Sequence, residues 1–360
     1  FMTKCPYVPP HEFDLDFPHL MLRARAQEHK NGQVSWAGKQ MTRTDRNGKI
    51  GCSVSGAANW ACQCSNKITR PVMQAAAGIH RDAKLPEFAN QPLTDKAASA
   101  KPQVNPDAPA FGRKAVLYAT CFGNYNNPAI GTAALKVLAR NGVETQIVHP
   151  RCCGMPQLEH GDIGAVADSA KKTARDLGVW IDNGYDVIAL VPSCALMLKF
   201  EWPLIVPGDE AVERLSKATA DISEYLIDIS RNEGLAEGLN ALEGGVTVHI
   251  ACHARAQNMG RKAAEMLRLV PDTEISVIER CSGHGGSWGV MKDNFEVGLK
   301  VGKPVARDVA KRNPGHVVSE CPLARDHILQ GVERLDEDFV TANVSAAQHP
   351  IELIAKAYGL

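Results

Sequence analysis

The 360-residue sequence lacks any apolar run of the roughly 18–20 residues that a membrane-spanning helix requires. Its most apolar window, residues 187–200 (VIALVPSCALMLKF), is interrupted by Pro192, Ser193 and Cys194. A secretory signal pattern is also missing. We therefore expect a cytoplasmic protein without a transmembrane segment, for which peripheral association with the cytoplasmic face of a membrane stays open.

An excess of charge of either sign is absent too, because 40 basic residues balance 40 acidic ones. Proteins that bind nucleic acid usually carry a basic patch or stripe, so we expect no nucleic-acid partner. Neither a phosphate-binding loop nor a G-x-S-x-G nucleophile elbow occurs, and no catalytic residue is assigned. The chemistry of this chain must come from other residue types.

Cysteine is the residue type that the chain has in excess, with 11 copies. Without a secretory signal, this number favours metal or redox chemistry over a disulfide framework. An odd number also fits poorly with complete disulfide pairing.

Strands and amphipathic helices alternate from Ala115 onward, which is typical of βαβ units and parallel sheets. The predicted strands are 115–120, 145–150, 186–193, 246–252, 274–280 and 316–321, and the predicted helices are 127–142, 162–184, 256–270 and 295–313. We expect an α/β protein with a mostly helical or irregular N-terminal region, 1–110, and two small parallel-sheet domains, 111–238 and 239–360, related by a pseudo-twofold axis.

The two predicted domains are copies of each other, because their cysteines match at offsets of 131, 129 and 127 residues. Each matched cysteine stands at or just after the end of a predicted strand, and the carboxyl ends of parallel strands face one crevice. We therefore expect the thiols of each copy to converge. The first copy contributes Cys121, Cys152, Cys153 and Cys194, and the second contributes Cys252, Cys281 and Cys321.

Four thiolates in the first copy suit either a zinc ion or an iron–sulfur cluster. The adjacent pair Cys152 and Cys153 favours a cluster, since neighbouring residues point in different directions and can reach different irons. Arg151 and the amides around Gly154 would offset the negative charge of such a site. Arg280 and Gly283 are their counterparts in the second copy.

The motifs RCCGMP, PSCALMLK, RCSGHGGSWG and SECPL resemble those of the duplicated CCG cysteine-rich domains. Such domains occur in the B subunit of heterodisulfide reductase and in the C subunit of anaerobic glycerol-3-phosphate dehydrogenase. The resemblance implies an iron–sulfur subunit that relays electrons between a flavoprotein, or another redox partner, and an acceptor. An enzyme that reduces a disulfide or small substrate at an open cluster, and a zinc-stapled interaction module, are the alternatives.

The sequence departs from the family's five-thiol pattern in both copies. The first copy has Met197 at the fifth position and retains ligands for a 4Fe–4S cluster. The second copy has Ser282 and Ala324 at two positions, so His284 or His253 could supply the fourth ligand of an iron–sulfur cluster or a zinc ion, and we take His284 as the candidate.

A Cys-Pro pair at Cys5 resembles the end of a bacterial ferredoxin cysteine run. We therefore predict that Cys5 is a metal ligand belonging to the tail of a ferredoxin-like module. Three further cysteines, Cys52, Cys62 and Cys64, fit neither this pattern nor the duplicated one.

Overall fold

The computed structural model describes residues 5–8, 10–99, 101–335 and 343–360. The N-terminal region is helical. Its helices are α1 (Phe17–Lys30), α2 (Trp36–Met41), α3 (Thr44–Ser53), α4 (Ser55–Cys62), α5 (Thr69–Ala77) and α6 (Leu93–Ser99).

The first parallel sheet contains β1 (Lys114–Tyr118), β2 (Glu144–Val148), β3 (Asp186–Ala189) and β4 (Thr219–Asp221), in the order β2-β1-β3-β4. Buried apolar residues fill most of β1 and β3, as expected for strands covered on both faces. The helices of this half are α7 (Cys121–Tyr125), α8 (Pro128–Arg140), α9 (Met155–Glu159), α10 (Ile163–Asp182), α11 (Pro192–Leu196), a π-helix (Met197–Glu201), α12 (Trp202–Ile205), α13 (Glu210–Ala218) and α14 (Ile222–Asn232).

The second parallel sheet contains β5 (Val246–His249), β6 (Ile275–Ile278) and β7 (His316–Ser319), in the order β6-β5-β7. This order matches β2-β1-β3 of the first sheet. The predicted α/β class, with two small parallel sheets and a helical N-terminal part, is confirmed. The pseudo-twofold axis stays a prediction. The helices of this half are α15 (Cys252–Ala256), α16 (Lys262–Leu267), a 3-10 helix (Trp288–Val290), α17 (Phe295–Arg312), α18 (Pro322–Val332) and α19 (Pro350–Ala357).

The predicted helix 256–270 is wrong in its extent. Only α16 (Lys262–Leu267) lies within this range, because α15 ends at Ala256 and the Asn258 and Gly260 that follow have φ values of 52° and 81°. These left-handed conformations end one helix before the next begins. Strand β4 was not predicted at all.

The two sheets share one hydrophobic core. It contains Leu117 and Ile188 of the first sheet together with Val248 and Val318 of the second. The C-terminal helix α19 packs on α8 of the first half. Within the described part of the chain, no helix is long and apolar enough to cross a membrane.

Helix α1 is held on the first half by an ionic contact that depends on pH. The His19 ring hydrogen-bonds Asp16 within the N-terminal region and Glu201 of the π-helix, the latter at 3.0 Å between Nε2 and Oε2. Burial opposes protonation, but the two carboxylates outweigh it and raise the pKa of His19 above 6.5. The charged imidazolium therefore strengthens the docking of α1.

This contact predicts that α1 becomes less protected as the pH rises. A raised folded-state pKa gives a stabilisation that is fully present below the unfolded-state value and is lost as the pH passes through the folded-state value. Hydrogen-exchange protection factors of α1 at about pH 6 and about pH 8.5 should differ in the wild type and not in His19→Gln. Equal protection in the wild type at both pH values would contradict the role of His19.

Candidate metal centre

The first sheet brings four cysteines to one edge. Cys121 begins α7 after β1, the pair Cys152 and Cys153 follows β2, and Cys194 lies in α11 after β3. Since all three strands are parallel and adjacent, their carboxyl ends meet at this edge. Three of the thiols are buried, and Cys121 is half-buried.

The four thiols contact one another in a chain. The Sγ atoms of Cys121 and Cys152 are 3.7 Å apart and share a hydrogen bond. This bond raises the pKa of Cys121 and lowers that of Cys152, so Cys152 is the favoured thiolate. Cys153 contacts the thiols of Cys152 and Cys194, and its hydrogen bonds with them raise its pKa. The four thiols are thus coupled to one another through direct contacts.

The turn after Cys153 requires glycine. Gly154 has a φ of 88° and caps α9, and its amide donates a hydrogen bond to the Cys152 Sγ at 3.5 Å. The second copy repeats this feature, because Gly283 has a φ of 78° and its amide donates to the Cys281 Sγ at 3.4 Å. The Gly154 amide helps to lower the pKa of Cys152 and so favours its thiolate form.

Polar side chains from the surrounding core hold the backbone of the loop after β2 that carries Cys152 and Cys153 (residues 149–154), the first cysteine loop. The Tyr118 hydroxyl donates to the Arg151 carbonyl at 2.5 Å, and the Trp202 indole donates to the Cys153 carbonyl at 3.0 Å. In the second copy, His249 Nε2 contacts the Arg280 carbonyl at 2.9 Å. Sequence reasoning missed these residues, although Tyr118 and His249 differ by the same 131 positions as the first matched cysteines.

The two candidate arginines form ion pairs with the helices that follow them. Arg151 contacts Asp176 at 2.8 Å and Thr173 at 3.2 Å, and Arg280 lies 3.9 Å from Asp308. These contacts anchor each loop to α10 or α17. A direct role of either guanidinium beside a cofactor stays a prediction.

The cysteines of the second copy are more open to solvent. Cys252 and Cys281 are exposed, and Cys321 is half-buried at the start of α18. Partial desolvation and the neighbouring Cys281 thiol raise the pKa of Cys252. Burial raises the pKa of Cys321 to about 12, and Cys252 adds to the rise. Cys252 therefore lies near both of the other thiols.

His284 packs against another histidine. Its ring centroid lies 5.9 Å from that of His327, and its buried Nε2 has no hydrogen-bond partner in the structure. Burial lowers the pKa of His284 to about 4, so the ring is neutral. A neutral imidazole has the protonation state of a metal ligand, but ligation by His284 stays a prediction.

No three His, Cys, Asp or Glu side chains in the described ranges stand close enough together to hold a single metal ion.

Cys5 is a half-buried free thiol, and its predicted role as a ligand stays untested. Cys52 is buried and donates to the Tyr125 carbonyl at 3.3 Å, whereas Cys64 contacts the carbonyls of Asp82 and Ala83. These contacts give Cys52 and Cys64 local structural partners.

The N-terminal region also reaches the first cysteine loop. Asp45 of α3 accepts hydrogen bonds from the Cys152 amide at 2.6 Å and from the His149 ring at 2.7 Å. Asp45 therefore joins a segment outside both copies to the loop that carries the adjacent cysteines.

Comparison with protein families finds the CCG cysteine-rich domain twice, at residues 115–199 and 246–323. Lactate utilization protein A of Geobacillus thermodenitrificans is 30% identical over 190 residues, which are 49% of this chain and 74% of that protein. This chain belongs to the CCG cysteine-rich domain family. The family membership predicted from the cysteine motifs is thereby confirmed.

Two further relatives are similar over longer stretches. The C subunit of anaerobic glycerol-3-phosphate dehydrogenase from Escherichia coli is 26% identical over 358 residues, covering 96% of this chain and 82% of that protein. The D subunit of dihydromethanophenazine:CoB–CoM heterodisulfide reductase from Methanosarcina acetivorans is 25% identical over 269 residues, covering 71% of this chain and 62% of that protein. Both relatives are named as subunits of oxidoreductases.

Proposed function

We propose that this protein is an iron–sulfur electron-transfer subunit of an oxidoreductase complex. The observation that carries the proposal is the chain of four contacting thiols, three of them buried, at the carboxyl edge of the first sheet. The names of the CCG relatives as oxidoreductase subunits support the same function. In this proposal the partner is a flavoprotein or another redox subunit, and the chain passes electrons from it to an acceptor.

The donor set of the first copy fits a 4Fe–4S cluster, because it offers four sulfur ligands and no carboxylate. Cys121, Cys152, Cys153 and Cys194 would hold the cluster, which takes up and releases one electron. The Gly154 amide and the loop contacts from Tyr118 and Trp202 would keep the thiolates oriented.

The proposed division of the chain follows the two copies, with an N-terminal region at 1–110 and CCG domains at 111–238 and 239–360. The shared core and the packing of α19 on α8 would make the two CCG domains one rigid unit. Eleven cysteines without a disulfide among the described residues suit a reducing compartment, so we place the complex in the cytoplasm or at the cytoplasmic face of a membrane.

Electron transfer can be tested with flavodoxin hydroquinone as a stand-in flavoprotein donor. The anaerobic, oxidised protein should lose absorbance at about 400 nm when it is mixed with this donor. An added one-electron oxidising dye should restore the absorbance. Turnover of a small disulfide without any partner protein would instead support a heterodisulfide-reductase-like enzyme. A colourless protein that binds zinc alone would support an interaction module and would overturn the proposal.

The second copy should hold a metal site of a different kind, because it offers three matched thiols, two of them exposed. We propose an iron–sulfur cluster or a zinc ion there, with His284 as the fourth ligand. Because no three potential ligands in the described ranges stand close enough for a single metal ion, a cluster several ångströms wide fits the site better than zinc. Three thiolates and one neutral imidazole carry one negative charge fewer than four thiolates.

This asymmetry predicts the metal content of Cys281→Ser. The variant should lose the metal of the second copy and keep the visible spectrum of the first, since the two sites lie on separate sheets. Iron, zinc and sulfide analysis beside the wild type measures the change. Unchanged content of every metal would mean that the second copy binds none.

A further inference from the structure

The first turn of α3 contacts the backbone of the proposed cluster site, and it also lies close to the sulfur atoms of Cys121 and Cys152. Asp45 accepts from the Cys152 amide at 2.6 Å, which fixes the amino end of α3 against the cysteine loop. A helix amino end carries a partial positive charge and favours nearby anions. The end of this 10-residue helix that lies next to the thiols is therefore its amino end, whose partial positive charge stabilises thiolates.

Thr44, the first residue of α3, has a buried hydroxyl oxygen without a partner that meets ordinary hydrogen-bond geometry. This hydroxyl lies within hydrogen-bonding reach of the thiols of Cys121 and Cys152. A buried hydroxyl without an acceptor is costly, so a charged sulfur beside it is a suitable acceptor. The Thr44 hydroxyl is therefore placed to donate a hydrogen bond to a cysteine thiolate that holds the cluster.

Close packing between α3 and α7 explains how Thr44 comes so near. Gly48 lies against the Tyr125 ring, and a Cβ atom on Gly48 would stand 2.3 Å from Tyr125 Cδ2. No side chain fits there without displacing the ring. The absence of a side chain at Gly48 allows the amino end of α3 to reach Cys121, the first residue of α7.

We propose that Thr44 donates an O–H···S hydrogen bond to the Cys121 or Cys152 thiolate and thereby raises the reduction potential of the cluster. The inference rests on the proposed function and adds a residue from outside both CCG copies. Reduction adds negative charge to the cluster and its sulfur ligands, and a hydrogen-bond donor stabilises the more negative state. Thr44 would therefore tune the centre without ligating it.

The test compares the full-length wild type with Thr44→Val and Thr44→Ser after anaerobic purification. Valine keeps the shape of threonine without the hydroxyl, and serine keeps the hydroxyl. An EPR-monitored redox titration should show a lower potential for Thr44→Val and a potential near the wild-type value for Thr44→Ser. Thr132→Val is the matched control, because the Thr132 hydroxyl donates to the Pro128 carbonyl within α8.

Iron and sulfide counts separate the failure of this inference from failure of the proposed function. Equal potentials in iron-loaded wild type and Thr44→Val would overturn the inference alone. Absence of iron and sulfide from the wild type would overturn the proposed function and the inference with it. If Thr44→Val does not retain iron, Thr44→Ala provides the same comparison, because alanine also lacks the hydroxyl and is smaller. A wild-type reduction potential in Thr44→Ala would overturn the inference.

Discussion

Replacement of Cys153 by serine is expected to remove the iron of the first CCG copy or to leave it markedly labile to oxygen. Cys153 is buried and contacts both Cys152 and Cys194, so it stands in the middle of the thiol chain. A serine hydroxyl is a poorer ligand for iron than a thiolate because it is harder and far less acidic. Iron content and the visible spectrum before and after exposure to air measure the effect.

Cys52→Ser is the matched control for this experiment. Cys52 is also buried, but its thiol donates to the Tyr125 carbonyl, and a serine hydroxyl can donate to the same acceptor. The control should retain the iron content of the wild type. Full iron content and an unchanged spectrum in Cys153→Ser would show that Cys153 is not a ligand.

The largest effect on stability is expected from Gly283→Ala in the second cysteine loop. Gly283 has a φ of 78°, and an added Cβ would lie 1.9 Å from the Gly298 carbonyl oxygen of α17. A left-handed alanine costs about 1–2 kcal/mol, and overpacking of this kind adds about 1–3 kcal/mol. The free energy of unfolding should therefore fall by about 2–5 kcal/mol, as measured by denaturant titration.

Gly164→Ala provides the control, since Gly164 is the second residue of α10 and no atom lies within 4 Å of an added Cβ. Alanine is the better helix former, so this variant should be at least as stable as the wild type, with a gain of up to about 1 kcal/mol. Equal stability of Gly283→Ala and the wild type would show that the loop can move away from α17 at little cost.

The positions of the cysteines in the fold could be predicted from the sequence because two independent patterns agreed. Apolar strand runs ended near residues 120, 150 and 193, and the duplicated cysteines followed the same ends at nearly constant offsets. Parallel pairing of these strands then placed the thiols at one sheet edge. Strand β4 escaped prediction because three residues, Thr219–Asp221, carry too little periodicity to distinguish a strand from a loop.

The contribution of α3 to the site could not be predicted from local patterns. It depends on the packing of Gly48 against Tyr125, which joins two segments far apart in the chain. Neither Thr44 nor Asp45 lies in a duplicated motif, so the internal comparison that identified the cysteines gives no signal for them. The orientation of His284 toward His327 has the same origin, since α18 packs on α17 behind the loop.

The central claim is that the thiols of the first CCG copy hold a redox-active iron–sulfur cluster. The most direct measurement is the iron and acid-labile sulfide content of the anaerobically purified protein, together with its EPR spectrum before and after reduction with dithionite. Our account predicts iron and sulfide in equal amounts and a paramagnetic signal that appears on reduction, as expected for a 4Fe–4S centre. Stoichiometric zinc with neither sulfide nor an EPR signal would contradict it.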